Sequence, residues 1–402
     1  MKVLWITNTI MKYPNNVIFK KATFLGGWLD GLAEMLKDYD IELYVLSKGK
    51  VTNIKKCVDE NITYMIINDD VSVSNILNEI KPDLIHINGT EYKFALEVIN
   101  ANTMGIKVVT SIQGIIANCS KVFLQGLEGY NLSSKTTLRD IIKNQSILDM
   151  HRFFAAGSTN ERKILANTDF IFGRTKWDYE NTKAYNKEYL YSGEILRDAF
   201  YSCEHWDYNK IEKRSLFMSN AGYPIKGLHI LLDSMKELKK EFSDIKLYIG
   251  GINIYEVPFY RVNGYQKILK DLIKQYDLKD NIIFLGYLNQ NEMIEQMLKA
   301  NVFILPSLME NSSNTLGEAM LIGTPCVVSD VGGNKELLGN DKYYDVTDTN
   351  KCVSLIREYF NNEELCIKDS KLNIVNANKR FNNKEVVEQV YNNYKDIISR
   401  KS

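Results

Sequence analysis

The chain has 402 residues, of which 45% are hydrophobic, and its 50 Lys and Arg balance its 50 Asp and Glu. A chain of this length favours two domains of roughly 100–200 residues, each able to bury a core without disulfides. Because the net charge is zero, the composition gives no support to a nucleic-acid partner, which would require a basic excess.

The cysteines, histidines and apolar runs of the sequence further restrict which class of protein this chain can belong to. The six cysteines include no CxxC pair and the four histidines form no HExxH motif, so we expect reduced thiols and no protein-bound metal. The apolar stretch Val3–Ile6 is too short for a signal peptide, and no run approaches the roughly 20 apolar residues of a membrane-spanning helix. These features predict a cytoplasmic protein.

Short apolar runs alternate with amphipathic stretches from the N-terminus onwards. Residues 24–36, between the first two runs, carry apolar side chains at helical spacing. Buried strands separated by helices are typical of a parallel sheet that is covered on both faces. The strands predicted in the first half are Val3–Thr7, Ile41–Leu46, Tyr64–Ile67, Leu84–Ile87, Val108–Ile112 and Phe170–Phe172.

The same alternation restarts near Leu216, after a polar stretch, and indicates a second doubly wound unit. We therefore predict an α/β protein of two Rossmann-like domains, 1–203 and 204–383, that face each other across a cleft. A C-terminal helix at about 384–402 is expected to pack back on the first domain. In doubly wound sheets, ligands bind outside the carboxyl ends of the strands. The strands predicted here are Leu216–Met218, Lys246–Ile249, Ile282–Leu285, Val302–Leu305 and Cys326–Ser329.

Two carboxylates follow the predicted strand Val302–Leu305. Glu310 falls in the loop after this strand, and Glu318 falls about one turn into the next helix. The small polar residues 311–314 suit a helix N-cap, and a helix N-terminus offers free N–H groups to a phosphate. Carboxylates repel phosphate, so each should contact sugar hydroxyls. The structural alternative is that Glu310 is a solvated loop residue and Glu318 a capping acid.

The sequence around these carboxylates resembles a known family. Glu310 and Glu318 have the E-x7-E spacing of retaining glycosyltransferases with the two-domain GT-B fold, in family GT4. The resemblance implies that Glu318 binds a nucleotide ribose and that Glu310 contacts the transferred sugar. It also implies that amides around Asn314, Thr315 and Leu316 hold a diphosphate. Other matching segments are Pro306-Ser307, Glu318-Ala319-Met320, Gly323-Thr324-Pro325 and Val331-Gly332-Gly333.

A lysine-glycine pair near the start of the second domain, Lys226-Gly227, also matches the family. By resemblance Lys226 neutralises the diphosphate, and Gly222 belongs to the donor site. The alternative is an exposed lysine at a helix start, where the dipole disfavours a cation unless an anion binds. The chain departs from the family at Ala221, where an arginine is usual, so one phosphate-binding cation is missing. Tyr287 lies in the region expected, by resemblance, to contact the base.

The first domain carries weaker motifs. No GxGxxG follows its first predicted strand, which disfavours a nicotinamide dinucleotide site. By resemblance, the pair Gly26-Gly27 lets backbone approach the donor phosphates, although packing at a helix start is the alternative. Asn88 and Gln113 stand in the two strand-end motifs that the family places near the acceptor. Many members have histidine at the position of Gln113.

Two further segments, 173–178 and 194–201, resemble a bacterial branch of the family that builds surface polysaccharides. This resemblance implies a saccharide or lipid-linked acceptor. Residues 135–163 are locally basic, with apolar side chains interleaved. This stretch is either an amphipathic helix packed on its domain or a peripheral contact with the inner face of the membrane.

The predicted function is therefore a metal-independent, retaining hexosyl transfer in bacterial polysaccharide or glycolipid assembly. A nucleotide-diphosphate sugar is the donor substrate, a hydroxyl is the acceptor, and no other cofactor is expected. Glu310 and Lys226 are the expected catalytic residues. One alternative is a sugar-nucleotide epimerase of the same fold, for which no acid/base set is evident. The other is a degenerate sugar-nucleotide-binding protein, which Ala221 favours.

Overall fold

The computed structural model describes residues 1–20 and 27–400, and these form two compact units. The first unit contains Met1–Ala117, Ala156–Arg197 and the described part of Arg380–Ser402. The second contains Asn118–Ala155 and Asp198–Lys379. Throughout the described ranges, every helix is too short or too polar to span a bilayer.

The first unit is built on a sheet of mostly parallel strands. Its strands are β1 (Lys2–Thr7), β2 (Glu42–Lys48), β3 (Lys55–Asp59), β4 (Ile62–Ile67), β5 (Leu84–Asn88), β6 (Val108–Ser111), β7 (Phe170–Gly173) and β8 (Glu188–Tyr191). Their spatial order is β3-β4-β2-β1-β5-β6-β7-β8, and only the edge strand β3 pairs antiparallel among the described strands. The central strand β5 is buried along its whole length, as the continuous apolar run predicts.

The second unit is built on a parallel sheet. Its strands are β9 (Glu212–Met218), β10 (Lys246–Gly250), β11 (Ile282–Gly286), β12 (Ala300–Leu305), β13 (Cys326–Ser329) and β14 (Tyr343–Tyr344), in the order β11-β10-β9-β12-β13-β14. The strand order reverses between β9 and β12, which pair directly. In open α/β sheets this reversal leaves a crevice at the carboxyl ends of the two strands, where ligands bind.

Helices cover the two sheets. In chain order they are α1 (Lys12–Phe19), α2 (Gly27–Leu36), α3 (Val73–Ile80), α4 (Lys93–Ala101), α5 (Ile116–Val122), α6 (Leu132–Lys135), α7 (Leu138–Lys143), α8 (Ile147–Asn167), α9 (Lys176–Thr182), α10 (Leu228–Glu241), α11 (Gly264–Gln275), α12 (Gln290–Lys299), α13 (Asn314–Ile322), α14 (Asn334–Leu338), α15 (Thr349–Asn361), α16 (Glu363–Arg380) and α17 (Asn383–Ser399). The chain passes from the first unit to the second within α5 and returns within α8.

The C-terminal helix α17 lies in the first unit and completes its core. The apolar side chains of Val386, Val390 and Tyr394 belong to the same buried cluster as Trp5. The hydroxyl of Tyr394 accepts a hydrogen bond from Trp5 Nε1 at 2.9 Å and lies 2.6 Å from His86 Nδ1. Burial lowers the pKa of His86 to about 3, with Arg174 contributing, so this histidine is neutral. His86 is therefore a hydrogen-bonded core residue.

The structure departs from the sequence-based division at 203/204 in one segment. Residues 118–155, which were expected in the first domain, belong to the second unit. His229 Nε2, on α10, lies 2.8 Å from the carbonyl oxygen of Gln125, and the buried carboxylate of Asp140 accepts the backbone N–H of Gly264 at 2.8 Å. These partners are mostly backbone groups, which every residue type carries, so composition gives no signal for them. The division between Arg197 and Asp198 lies close to the predicted one.

Candidate functional site

The loops that follow β9 and β12 touch each other at the point where the strand order reverses. After β9, a 3-10 turn at Pro224–Lys226 leads into Gly227, whose φ of +74° is left-handed. A Cβ on Gly227 would lie 1.9 Å from the carbonyl oxygen of Pro306, so only glycine fits there. The backbone N–H of Leu308 donates to the carbonyl oxygen of Ile225 at 2.7 Å. These contacts fix the first loop against the second.

This contact between loops brings Lys226 and Glu310 together. Nζ of Lys226 lies 2.7 Å from Oε1 of Glu310, and the hydroxyl of Ser307 donates to the same oxygen at 2.7 Å. Burial alone would lower the pKa of Lys226, but the charge and hydrogen bond of Glu310 outweigh it and raise that pKa above its ordinary value. The site therefore holds a permanent cation and an adjacent carboxylate.

A third loop, after β13, holds the backbone of Glu310. Gly332 has a φ of +57°, and a Cβ there would lie 1.5 Å from the carbonyl oxygen of Glu310. The next residue, Gly333, donates its N–H to that oxygen at 3.4 Å. The glycine pair therefore lets this loop approach closely enough to position the catalytic candidate. From the sequence, Gly332-Gly333 was recognisable only as part of a family motif, with no physical role for the two glycines.

Helix α13 begins beside the same loops. Its N-cap, Ser313, accepts the backbone N–H of Leu316 at 3.4 Å, and Ser219 after β9 donates to the hydroxyl of Thr315 at 3.3 Å. The first turn of α13 contains no acidic residue. Its leading amides, at Asn314, Thr315 and Leu316, carry the positive end of the helix dipole. A phosphate group would be stabilised at this helix end.

Glu318 lies in the second turn of α13, as predicted, and its side chain is buried. The structure thus places Glu318 on the helix whose first turn contacts the end of β9, whereas Lys226 and Glu310 contact each other directly. Ala221 is also buried, and alanine supplies no cation at the position where the family resemblance leads us to expect arginine. The ribose-binding role of Glu318 stays a prediction.

The remaining donor-side candidates lie at the carboxyl edge of the second sheet. Gly222, after β9, donates its N–H to Oδ1 of Asn220 at 2.8 Å, which closes a tight turn before Lys226. Tyr287 follows β11, directly after Gly286 in a left-handed conformation, and its ring is exposed. An exposed ring beyond a strand end is available for stacking on a base, which stays a prediction for Tyr287.

The first-domain candidates lie in the first unit. Gly26 falls outside the described residues, whereas Gly27 begins α2 and a Cβ there would lie 3.3 Å from Cγ of Arg197. Gln113 follows β6 and is half-buried. Asn88 ends β5 fully buried, and its side-chain amide makes no hydrogen bond with any described residue. Their donor and acceptor roles stay predictions.

Comparison with known proteins finds similarity over the region that carries Lys226 and Glu310. Residues 204–379 match the family model described as Glycosyl transferases group 1. The UDP-Gal:alpha-D-GlcNAc-diphosphoundecaprenol alpha-1,3-galactosyltransferase of Escherichia coli is 30% identical over 172 residues, which cover 40% of this chain and 42% of that protein. Alignments with three curated relatives span 30%, 42% and 66% of the relatives' own lengths.

Similarity to solved structures extends over the whole chain. Sucrose-phosphate synthase from Thermosynechococcus elongatus aligns with a TM-score of 0.71 at 11% identity, covering 99% of each chain. Anabaena HepE in complex with UDP-glucose aligns with a TM-score of 0.67 at 14% identity, covering 98% of this chain and 100% of that one. Identities this low establish the fold alone. The predicted fold class, two Rossmann-like α/β domains of the GT-B type, is confirmed.

Proposed function

We propose that this protein is a retaining glycosyltransferase that moves a sugar from a nucleotide-diphosphate sugar to an acceptor hydroxyl. The observation that carries the proposal is the 2.7 Å contact between Lys226 and Glu310 at the strand-order reversal of the group 1 glycosyl transferase domain. A cation for the leaving phosphate and a carboxylate for sugar hydroxyls are the two groups that the reaction requires side by side.

Stabilising the departing diphosphate is the main electrostatic task of the reaction. Lys226 carries a permanent positive charge, and the leading amides of α13 add the positive end of a helix dipole. Together these groups oppose the charge that develops on the phosphate oxygen, without requiring a metal ion. Lys226 and Glu310 are the proposed catalytic residues, with Glu310 holding the transferred sugar.

The proposed chemistry is a displacement on one face of the sugar. The bond from the anomeric carbon to the phosphate oxygen breaks, and a bond from that carbon to the acceptor oxygen forms on the same face. The acceptor proton passes to the departing phosphate oxygen, so no separate base is needed and the anomeric configuration is kept. Holding donor and acceptor in this geometry supplies much of the remaining rate enhancement.

The acceptor is proposed to be a saccharide or a lipid-linked saccharide in bacterial polysaccharide or glycolipid assembly. Support comes from the Escherichia coli relative, whose name specifies a diphosphoundecaprenol-linked acceptor. A UDP-sugar donor has support from the HepE structure, which contains UDP-glucose. Gln113 and Asn88 are the acceptor-side candidates, and a cytoplasmic location at the inner face of the membrane fits such an acceptor.

A donor panel tests the proposal. The protein is incubated with UDP- and GDP-sugars and with saccharide or polyprenyl-diphosphate-linked saccharide acceptors, and nucleotide release and product are measured. We expect acceptor-dependent release of one nucleoside diphosphate, and a product whose anomeric proton coupling matches that of the donor. Inverted configuration would contradict retention. An epimerised donor would indicate an epimerase, and donor binding without turnover would indicate a degenerate binding protein.

A further inference from the structure

The short helix α7 turns its apolar face to solvent. Leu138, Ile141 and Ile142 are 73%, 64% and 70% exposed, whereas Asp140 is fully buried. Successive residues of an α-helix are rotated by about 100°, so the three apolar side chains share one face and Asp140 lies on the opposite one. An amphipathic helix on a globular protein ordinarily buries its apolar face. Helix α7 therefore has the reverse orientation.

A buried carboxylate holds α7 in this orientation. Asp140 accepts the backbone N–H of Gly264, the first residue of α11, at 2.8 Å and that of Thr137 at 3.0 Å. Just before α7, Lys135 pairs with Asp271 of α11 at 2.7 Å. Turning the apolar face inward would deprive a buried carboxylate of its hydrogen bonds, which is costly. The exposure is therefore a consequence of how α7 is anchored.

Two aromatic side chains extend this apolar surface. The 3-10 turn Phe259–Arg261 contacts α7, and its Phe259 and Tyr260 are 89% and 61% exposed. Their rings pack edge to face, with centroids 5.6 Å apart. Single exposed apolar residues are ordinary, but a contiguous cluster marks a binding surface. The α7 patch is defined here as Leu138, Ile141, Ile142, Phe259 and Tyr260.

Two basic residues border the α7 patch. Lys143 ends α7 and Arg261 ends the aromatic turn, and neither forms an ion pair with any residue in the described ranges. A second copy of the chain fits poorly, because a two-fold contact would bring these basic borders against each other. An anionic lipid surface offers both the negative charge and an apolar layer beneath it.

We propose that the α7 patch is a membrane-docking surface that inserts into the headgroup region of an anionic bilayer. The sequence-based expectation placed membrane contact in residues 135–163, but residues 156–163 of that stretch belong to the first unit. The proposed surface instead includes the aromatic turn Phe259–Arg261, which is distant in sequence but contacts α7. The inference goes beyond sugar transfer, because lipid binding can be measured with neither donor nor acceptor present.

Vesicle flotation tests the docking surface. The full chain is mixed at low salt with vesicles of phosphatidylcholine and phosphatidylglycerol, and in parallel with vesicles of phosphatidylcholine alone. We compare the wild type with the triple variant L138S/I141S/I142S, and with V375S as the matched control. Val375 is also a highly exposed apolar residue of the second unit, on α16. Thermal melts establish that each variant folds, which is expected because the substituted side chains are exposed.

The wild type and V375S should float with the anionic vesicles and dissociate as salt is raised, because basic residues contribute to binding. The triple variant should partition roughly tenfold less or weaker still. A wild type that does not bind anionic vesicles at low salt would overturn the proposal, as would equal binding by the triple variant. A dimer that the triple substitution converts to monomer, without vesicle binding, would assign the patch to a second copy instead.

Donor turnover separates this proposal from the proposed function. The triple variant should release nucleotide with a water-soluble acceptor at the wild-type rate, since the α7 patch contains no proposed catalytic residue. If the wild type binds vesicles through the patch but no sugar transfer is found, the docking surface stands and the transferase proposal fails. If sugar transfer is normal but the wild type does not bind vesicles, the transferase proposal stands and the docking surface fails.

Discussion

Nζ of Lys226 and Oε1 of Glu310 are 2.7 Å apart, so the cation proposed to bind the donor diphosphate is paired with a carboxylate of the same site. A diphosphate that binds Lys226 must compete with Glu310 for the ammonium group. Removing either partner therefore changes two quantities, the affinity for the donor and the rate of transfer, and the direction of change differs between the two residues.

Replacement of Lys226 by methionine should lower kcat/KM about 10²–10³-fold, because the departing phosphate loses its nearest positive charge. The measurement is acceptor-dependent nucleotide release with the donor that the panel identifies. Lys240→Met is the matched control, since Lys240 lies in the last turn of α10 and pairs only with Glu237 among the described residues. Near-normal turnover by Lys226→Met would remove this lysine from the mechanism.

Glu310→Gln should lower kcat by a similar factor and leave KM for the donor unchanged or reduced. The amide keeps the shape of the side chain, but it no longer competes with the diphosphate for Lys226. Steady-state kinetics with varied donor concentration separates the two constants. Ser307→Ala removes only the hydroxyl that donates to Glu310 at 2.7 Å, and it should cost tenfold at most, by an estimate of about 1 kcal/mol per hydrogen bond. An unchanged kcat for Glu310→Gln would contradict the assignment.

Gly332→Ala should destabilise the second unit by at least about 2 kcal/mol and also lower activity, because its Cβ would overlap the carbonyl oxygen of Glu310. Urea unfolding measures the loss of stability, and nucleotide release measures the displacement of Glu310. Gly129→Ala is the control, since a Cβ at Gly129 meets nothing within 4 Å. Equal stability and activity for the two alanine variants would show that the loop after β13 does not position Glu310.

The stability of the first unit should fall as the pH falls from 6.5 towards 3, because His86 stays neutral when folded and takes up a proton when unfolded. A histidine with a lowered pKa stabilises the fold above its unfolded pKa, and this contribution is lost in acid. The free energy of unfolding of His86→Gln should depend on pH less steeply than that of the wild type, by up to about 1.4 kcal/mol per pH unit. Chemical denaturation between about pH 4 and about pH 7, which covers most of this window, makes the comparison. Parallel curves would mean that folding does not lower the pKa of His86.

Much of both sheets was predictable because their central strands are continuous apolar runs. The strands that the sequence did not indicate are β3, β8 and β14, and each has a physical reason. Strand β3 begins with Lys55 and Lys56 at an exposed edge, β8 has exposed ends, and β14 has two residues. Edge strands of this kind bury little apolar surface, so they leave no run to detect.

The residues of the candidate site could be predicted from the sequence, but the contacts between them could not. The types and order of Lys226, Glu310 and Glu318 carried the resemblance, whereas the contact between Lys226 and Glu310 joins positions 84 residues apart and depends on the pairing of β9 with β12. The orientation of α7 could likewise not be predicted from the sequence. Its apolar spacing looked like an ordinary packed helix, and only the anchoring of Asp140 to Gly264 reverses the face that meets water.

The position of α17 has a consequence for biosynthesis. The core of the first unit requires Val386, Val390 and Tyr394, which leave the ribosome after the second unit. Trp5 and His86, which are made before the second unit, must therefore wait for their hydrogen-bond partner Tyr394 until the entire second unit has emerged. Residues 198–379 can fold while the chain is still growing, but the N-terminal sheet is left with an open apolar face that nascent-chain chaperones would have to shield.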